Sequence, residues 1–243
     1  MRVLSFDIGI VNMAYCLMET TANKKIKILD WQVLNIAEIP DCTMCKKRAK
    51  SFVRLTTHAD PSAVSYYCTT HTKSYAEKHY PKKDIKTIKD TKDMDLDYLG
   101  ANLYKQLDGR DLFAEPIDWV LFENQPVLKN PKMKSIQMIL YSYFLYKKSL
   151  LDFNIENLKF YTAKKKLEIK GIQLDQSGFD KGEYKDRKKL GRLITMEILK
   201  RIQDFEHIHI LETKHADKQD DLCDCLVQGL EHLQSLGEFS LLI

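Results

Sequence analysis

Glycine and proline are scarce in this 243-residue chain, at nine and six, and no two glycines are adjacent. Glycine-rich loops that cradle nucleotide phosphates have little to be built from, which argues against a nucleotide cofactor. No run of about 18 apolar residues exists, so no membrane span is expected. The N-terminus enters a strand directly and lacks the charged-then-apolar layout of a secretory signal, so an intracellular setting is expected. Internal repeats and low-complexity segments are missing too. The six cysteines do not suggest a disulfide framework, because three cluster at metal-ligand spacing and the others stand isolated.

What is present supports a real core. Hydrophobic residues make up 44% of the chain, and one domain with an insertion is a better reading than two equal domains. The net charge is only +4, but residues 159 to 201 carry thirteen Lys and Arg against six Asp and Glu. Such a local excess of positive charge is what a phosphate-binding face requires.

Residues 1 to 7 and about 13 to 18 read as apolar strands joined by a Gly-containing turn, and 26 to 36 alternates as a third, giving an antiparallel meander. Pro40 ends it. From 41 to about 90, Cys, His, Tyr and Lys replace aliphatic residues, which marks an inserted module; residues 1–40 and 91–243 are expected to form the main domain. Met94, Leu96, Leu99, Leu103 and Leu107 recur at helical spacing, and a strand follows at 117 to 122. Pro131 suits a helix start, with Ile136, Ile139, Leu140, Tyr143, Phe144 and Leu150 as its apolar stripe. A strand is expected at 158 to 161. A basic helix is expected from 185 to 202, with Leu190, Leu193, Ile194, Ile198 and Leu199 inward, and a last helix from 218 to 236. The order predicts an α/β sheet layered with helices.

Two carboxylates, Asp7 and Glu123, sit where strands give way to loops, the place where open α/β sheets put ligand-contacting side chains. Asp221 and Asp224, three apart, share one helical face, beside a separate stripe of Leu222, Leu226, Leu230 and Leu233. Asp217 and Asp220 fit better as helix N-terminal acids. Converging carboxylates repel one another by roughly 1 to 4 kcal/mol per pair at intermediate dielectric, a cost that hard divalent cations remove. Two such cations about 3.5 to 4 Å apart stabilise both the attacking and the leaving oxygen of a phosphodiester.

In the inserted segment, Cys42-Thr43-Met44-Cys45 is followed after 22 residues by Cys68-Thr69-Thr70-His71. Two short ligand pairs of this kind predict one tetrahedral Cys₃His zinc site, structural because four protein ligands leave no position for water. His58 and His79 are weaker substitutes. Lys46, Lys47, Arg48, Lys50, Arg54, Tyr66, Tyr67 and Lys73 surround the site and suit phosphate contact or stacking on an unpaired base, or simply a solvated surface.

Taken together, Phe6-Asp7-Ile8-Gly9, Leu121-Phe122-Glu123-Asn124-Gln125-Pro126 and Asp220-Asp221-Leu222-Cys223-Asp224 resemble, in order and spacing, the RuvC-like Holliday-junction resolvases of large DNA viruses and fungal mitochondria. The resemblance covers nearly the whole chain outside residues 41 to about 90. It implies an RNase H-like fold, a mixed sheet of three antiparallel strands followed by βαβ units and flanked by helices, here with a small zinc module inserted. It also implies a homodimer that nicks four-way DNA junctions, with Asp7, Glu123, Asp221 and Asp224 as catalytic ligands for two Mg²⁺ or Mn²⁺ ions. Lys164, Lys165, Lys166, Lys185, Arg187, Lys188, Lys189 and Arg192 correspond to the DNA-binding basic stretch of that family. The implied setting is a viral replication compartment in the host cytoplasm or nucleus, or a mitochondrion.

Three other readings compete. An actin- or hexokinase-like ATPase shares the opening strand and Asp-x-Gly but needs the glycine loops this chain lacks. An RNase H-like core that has lost activity would bind nucleic acid only, against which the intact acids argue. A nuclease of the same fold acting on flaps, forks or guide-bound DNA uses the same residues.

Overall fold

The computed structural model describes residues 1–55, 64–89, 91–128, 130–150, 153–162, 169–172, 184–213 and 219–241, apart from the side chains of Lys92, Tyr184 and Lys185. The chain divides into two compact units, 1–36 with 100–243, and 37–99. Among the described residues no helix is long and apolar enough to cross a membrane.

In the larger unit, β1 (Arg2–Asp7), β2 (Met13–Thr20) and β3 (Ile26–Leu34) form the antiparallel meander, and β7 (Ile117–Glu123) and β8 (Ile155–Tyr161) add in parallel on the β1 side. The strand order is β3-β2-β1-β7-β8. Strands β1 and β2 are buried on both faces, which is why their sequences read as unbroken apolar runs. Gly9 lets the β1–β2 turn close: a Cβ there would lie 2.2 Å from the Asn12 carbonyl oxygen, a backbone atom with little freedom to retreat.

Helices cover both faces. On one face, α4 (Pro131–Ser149) packs its Phe144 against Phe6 and Phe122, at ring separations of 5.4 and 5.8 Å. Asn130 caps this helix through the Met133 N–H, with Pro131 in its first turn. On the other face lies α7 (Gln219–Ser235), whose Leu222, Leu226, Leu230 and Leu233 are fully buried with Leu121, Val3 and Met18. Gly229 brings α7 close to β2, since a Cβ there would meet the Met18 methyl at 2.4 Å. The Trp31 indole donates to the Leu222 carbonyl at 3.0 Å, tying the helix to β3 as well.

Helix α5 (Tyr184–Arg201) joins the same core through Leu190, Ile194, Ile198 and Leu199. Leu193, expected inward, is exposed; the buried stripe of α5 runs through 190, 191, 194, 195, 198 and 199 at helical spacing, which puts 193 on the outer side and Gly191 and Thr195 on the inner one. Leu96, expected on the apolar side of α3 (Leu96–Asp108), is likewise exposed. Helix α6 (Phe205–Thr213) was not foreseen, for it follows α5 after only a short break and its apolar signal is weak.

The smaller unit holds a three-stranded antiparallel sheet in the order β5-β4-β6, made of β4 (Ser51–Arg54), β5 (Val64–Tyr67) and β6 (Ile85–Thr87). Between β5 and β6 run α1 (Thr69–His71), a π-wound turn (Thr72–Ala76) and α2 (Glu77–His79). Its fully buried apolar cluster is small: Val53, Tyr67 and Ala76, with Leu55, Tyr75, Tyr80 and Ile85 against them.

Candidate active site and metal cluster

Strand register decides where Asp7 and Glu123 stand. Strands β1 and β7 are parallel, with Phe6 opposite Phe122, so Asp7 and Glu123 are the next pair along, at the same ends of adjacent strands. Adjacent strands lie about 4.8 Å apart. Alternation then fixes the face. Phe6 and Phe122 meet Phe144 of α4, whereas Ser5 and Leu121 meet α7, so Asp7 and Glu123, two residues further on, project to the α7 side. Asp7 is buried, and Glu123 is half-buried.

Helix α7 brings its acids to that side. Gln228 is buried and donates to the Ser5 hydroxyl at 3.0 Å and to the Phe6 carbonyl at 3.2 Å, one residue before Asp7. Asp224 and Asp221 lie one and two turns before Gln228 on the same face of the helix. Asp224 faces Gly191 of α5, where an added Cβ would lie 3.8 Å from its Oδ1. Sequence reasoning missed Gln228, although a glutamine amid the leucine stripe of α7 is a visible signal of a buried polar contact.

Helix α5 supplies counter-charges. Lys188 lies 3.2 Å from Asp220 and 3.7 Å from Asp221, and the Arg192 guanidinium pairs with Asp220. Burial works against ionisation of Asp220, but Arg192 and Lys188 outweigh it and hold the carboxyl below its usual range. Asp220 is thus an ion-pair partner of α5. Lys189 sits 3.7 Å from Asp186, and Arg187 is exposed. Two cations assigned to DNA, Lys188 and Arg192, are therefore turned onto α7 acids. Lys164, Lys165, Lys166, Asp217, His58 and the side chain of Lys185 lie outside the described residues.

The Glu-Asn-Gln-Pro run is held by a hydrogen-bonded chain. Gln125 donates through Nε2 to Glu123 Oε2 at 2.8 Å, and its backbone N–H donates to Gln137 Oε1 at 3.1 Å. Lys134 donates to the same Gln137 oxygen at 2.9 Å and to Asn124 Oδ1 at 3.1 Å. Gln137 is fully buried on α4. Neither Lys134 nor Gln137 stood out in the sequence, where α4 read as an apolar stripe.

The inserted unit carries a second site. Cys42, Cys45, Cys68 and His71 place their ligand atoms within 4.8 Å of one another. Cys42 Sγ is 3.4 Å from His71 Nδ1, and Cys68 Sγ is 3.6 Å from both Cys45 Sγ and His71 Nδ1. Sulfur at about 2.3 Å and nitrogen at about 2.0–2.1 Å from a tetrahedral ion stand about 3.5–3.8 Å from one another, so the donor set fits. Lys46, at φ 60°, turns the chain after Cys45, and the Cys45 and Lys46 N–H groups both point back to the Cys42 carbonyl. Burial raises the Cys42 thiol, but the N–H groups of Cys68 and Met44, the His71 ring and the Cys45 N–H more than offset it and bring it down to about 6. His79 instead stacks on Tyr75 at 4.1 Å, away from the ligand set. Among the described residues no three Asp or Glu side chains are gathered this tightly, so the carboxylates around Asp7 form a more open set.

Comparison with known proteins agrees with this architecture. The chain is 25% identical to an uncharacterised protein of Acanthamoeba polyphaga mimivirus, over 96% of this chain and 75% of the relative. The fold is similar to that of the Fowlpox virus resolvase solved with Holliday junction DNA, with a TM-score of 0.51, 15% identity and coverage of 97% and 99% of the two chains. It is also similar to the yeast mitochondrial Holliday junction resolvase Ydc2, with a TM-score of 0.52, 14% identity and coverage of 98% of this chain and 81% of that one. The fold shared with these two structures is the RNase H-like one. The model of the family described as mitochondrial resolvase Ydc2 / RNA splicing MRS1 matches residues 3–126, half of the chain, and the chain belongs to that family.

Proposed function

We propose that the protein is a structure-selective DNA endonuclease that resolves four-way junctions by metal-dependent phosphodiester hydrolysis. One observation carries the reading: the parallel register of β1 and β7, which sets Asp7 and Glu123 side by side on the face covered by α7. With Asp221 and Asp224 they are the donor set assigned to two Mg²⁺ or Mn²⁺ ions, whose hard character suits carboxylate oxygen. Bound there, the cations supply charge neutralisation and activation of water for in-line attack. The chain's own residues do the positioning. A buried strand end fixes Asp7, Gln125 orients Glu123 through one carboxylate oxygen, and Gln228 holds α7 to β1 beside Asp7.

Branched DNA as substrate draws support from the relatives, two of which are described as Holliday junction resolvases. A homodimer follows from the same reading, since a two-fold enzyme matches a two-fold junction. The exposed Met138, Leu145 and Tyr146 of α4 are the candidate subunit contact. Lys164, Lys165, Lys166, Lys185, Arg187 and Lys189 are assigned to DNA phosphates, while Lys188 and Arg192 serve the α7 acids first. The insertion, taken as residues 41–90, is read as a module stapled by one structural Zn²⁺ on Cys42, Cys45, Cys68 and His71. The setting proposed is viral or mitochondrial.

A nuclease acting on forks or flaps would use the same acids. The test is Mg²⁺-dependent cutting of a synthetic four-way junction beside a fork, a flap and linear duplex. Preferential paired nicking of the junction is expected; equal or better cutting of flaps would reassign the substrate.

A further inference from the structure

The inserted unit presents a surface that metal binding does not use. Strand alternation puts Phe52 and Arg54 of β4 on one face of its sheet, with Val53 on the other, inside the small core. Cross-strand register places Tyr66 of β5 and Lys86 of β6 on either side of Phe52. The row Tyr66–Phe52–Lys86 is therefore two half-buried rings and a cation, and the rings lie 6.2 Å apart. A cavity of about 360 Å³ opens over this row, walled by Tyr98 and Met94. It is at the small end of the range for ligand sites.

The walls are fixed. Tyr98 donates its hydroxyl to the Glu38 carbonyl at 2.7 Å, and Lys89 is engaged with Asp95 at 2.8 Å. Tyr66 is tied to the cysteine turn in both directions, its N–H to the Thr43 hydroxyl at 3.1 Å and its carbonyl to the Thr43 N–H at 2.9 Å. The cavity floor is thus pinned to the segment between Cys42 and Cys45.

We infer that this face is a binding site for an unpaired nucleotide of a DNA strand, its base stacking on Phe52 and Tyr66 and its phosphate meeting Arg54 and Lys86. Flat aromatic surface beside cations complements a base beside an anion, and stacking tolerates any base because each has a π face. The Asp97 carboxylate on the rim suits the exocyclic amino groups of bases. Tyr67, which the sequence grouped with Tyr66 as a surface ring, faces the core instead. The inference deepens the reading of the chain as an enzyme of branched DNA, in which strands leave pairing near the branch point.

The test uses the full chain, with Ca²⁺ in place of Mg²⁺, and a short fluorescein-labelled oligothymidylate read by anisotropy. Phe52→Leu/Tyr66→Leu is expected to weaken oligothymidylate binding by about fivefold or more, while zinc content and affinity for a fully paired four-way junction stay within about twofold. Unchanged oligothymidylate affinity in a zinc-loaded variant overturns the site, and so does tighter binding of oligouridylate than of oligothymidylate by the wild type. Should the double variant lose its metal, the exposed Arg54→Ala decides: its binding should weaken and the dependence on log salt should flatten by about one. No change in either overturns the proposal. Mg²⁺-dependent junction cutting is measured in the same preparations, and its absence alongside oligothymidylate binding would sink the nuclease reading and leave this site standing.

Discussion

Replacing the buried Gln137 by Met separates the support of the site from the support of the fold. The Gln137 oxygen accepts from the Gln125 N–H at 3.1 Å and from Lys134 at 2.9 Å, while its own Nε2 has no partner among the described residues. Methionine keeps the volume and removes the acceptor. A lost neutral hydrogen bond costs about 0.5–1.5 kcal/mol and one to a charged group about 1.5–3 kcal/mol. Lys134 is half-exposed and recovers water, so most of the second figure is discounted and about 1–2 kcal/mol of stability is expected to go. The larger consequence is at Glu123, whose Oε2 accepts from Gln125 at 2.8 Å. With the Gln125 backbone released, that carboxylate gains freedom, and the Mg²⁺ concentration for half-maximal junction cutting should rise about tenfold, equivalent to about 1.4 kcal/mol. Urea unfolding and a Mg²⁺ titration of cutting are the assays, with junction affinity in Ca²⁺ as control. Lowered stability with a wild-type Mg²⁺ titration would refute the argument, since the network would then hold only the fold.

Three further outcomes follow from the packing. His232 is buried against Trp119, both its ring nitrogens without a hydrogen-bond partner among the described residues, and burial, then Lys159, lowers its pKa to about 4. Between pH 6.5 and 4 the unfolded chain binds the extra proton, so stability should fall with acid by up to about 3 kcal/mol, and His232→Leu should remove that contribution; an equal loss of unfolding free energy in wild type and variant between pH 7 and 4.5, read from urea unfolding, would contradict it. Gly9→Ala should cost about 1–3 kcal/mol, because its Cβ meets backbone, and more than Gly229→Ala, which meets the movable end of Met18; the reverse order of urea midpoints would remove the tight turn from the explanation. Cys68→Ser should lose the bound zinc and the amide-exchange protection of β4, β5 and β6, since the hydrophobic cluster beneath that sheet holds just Val53, Tyr67 and Ala76 as buried members among the described residues and structural zinc contributes roughly 10–16 kcal/mol; full protection in zinc-free protein would refute the staple.

Much of the larger unit was legible because its signals are local and periodic. Arg2–Asp7 and Ile117–Glu123 are apolar runs ending in a carboxylate, and the four leucines of α7 recur at helical spacing. The short strands of the insertion were not, since Ser51–Arg54, Val64–Tyr67 and Ile85–Thr87 are too brief and polar to alternate visibly. Leu193 was misassigned because its apolar side chain drew it into the stripe, whereas the buried face of α5 includes the small or polar Gly191 and Thr195 and leaves 193 outside. Side-chain chains across elements were also invisible: that Gln137 reaches Gln125, or Lys188 reaches Asp220 and Asp221, depends on which helices the sheet brings together.

The most direct measurement compares wild type with Asp7→Asn and Glu123→Gln on a four-way junction, reading cutting in Mg²⁺ and affinity in Ca²⁺. The account predicts cutting by the wild type alone and junction affinity within about twofold for all three, since each substitution removes a ligand charge and leaves the cationic surface intact. Cutting by either variant at the wild-type rate would contradict the claim that the ends of β1 and β7 together form the hydrolytic centre.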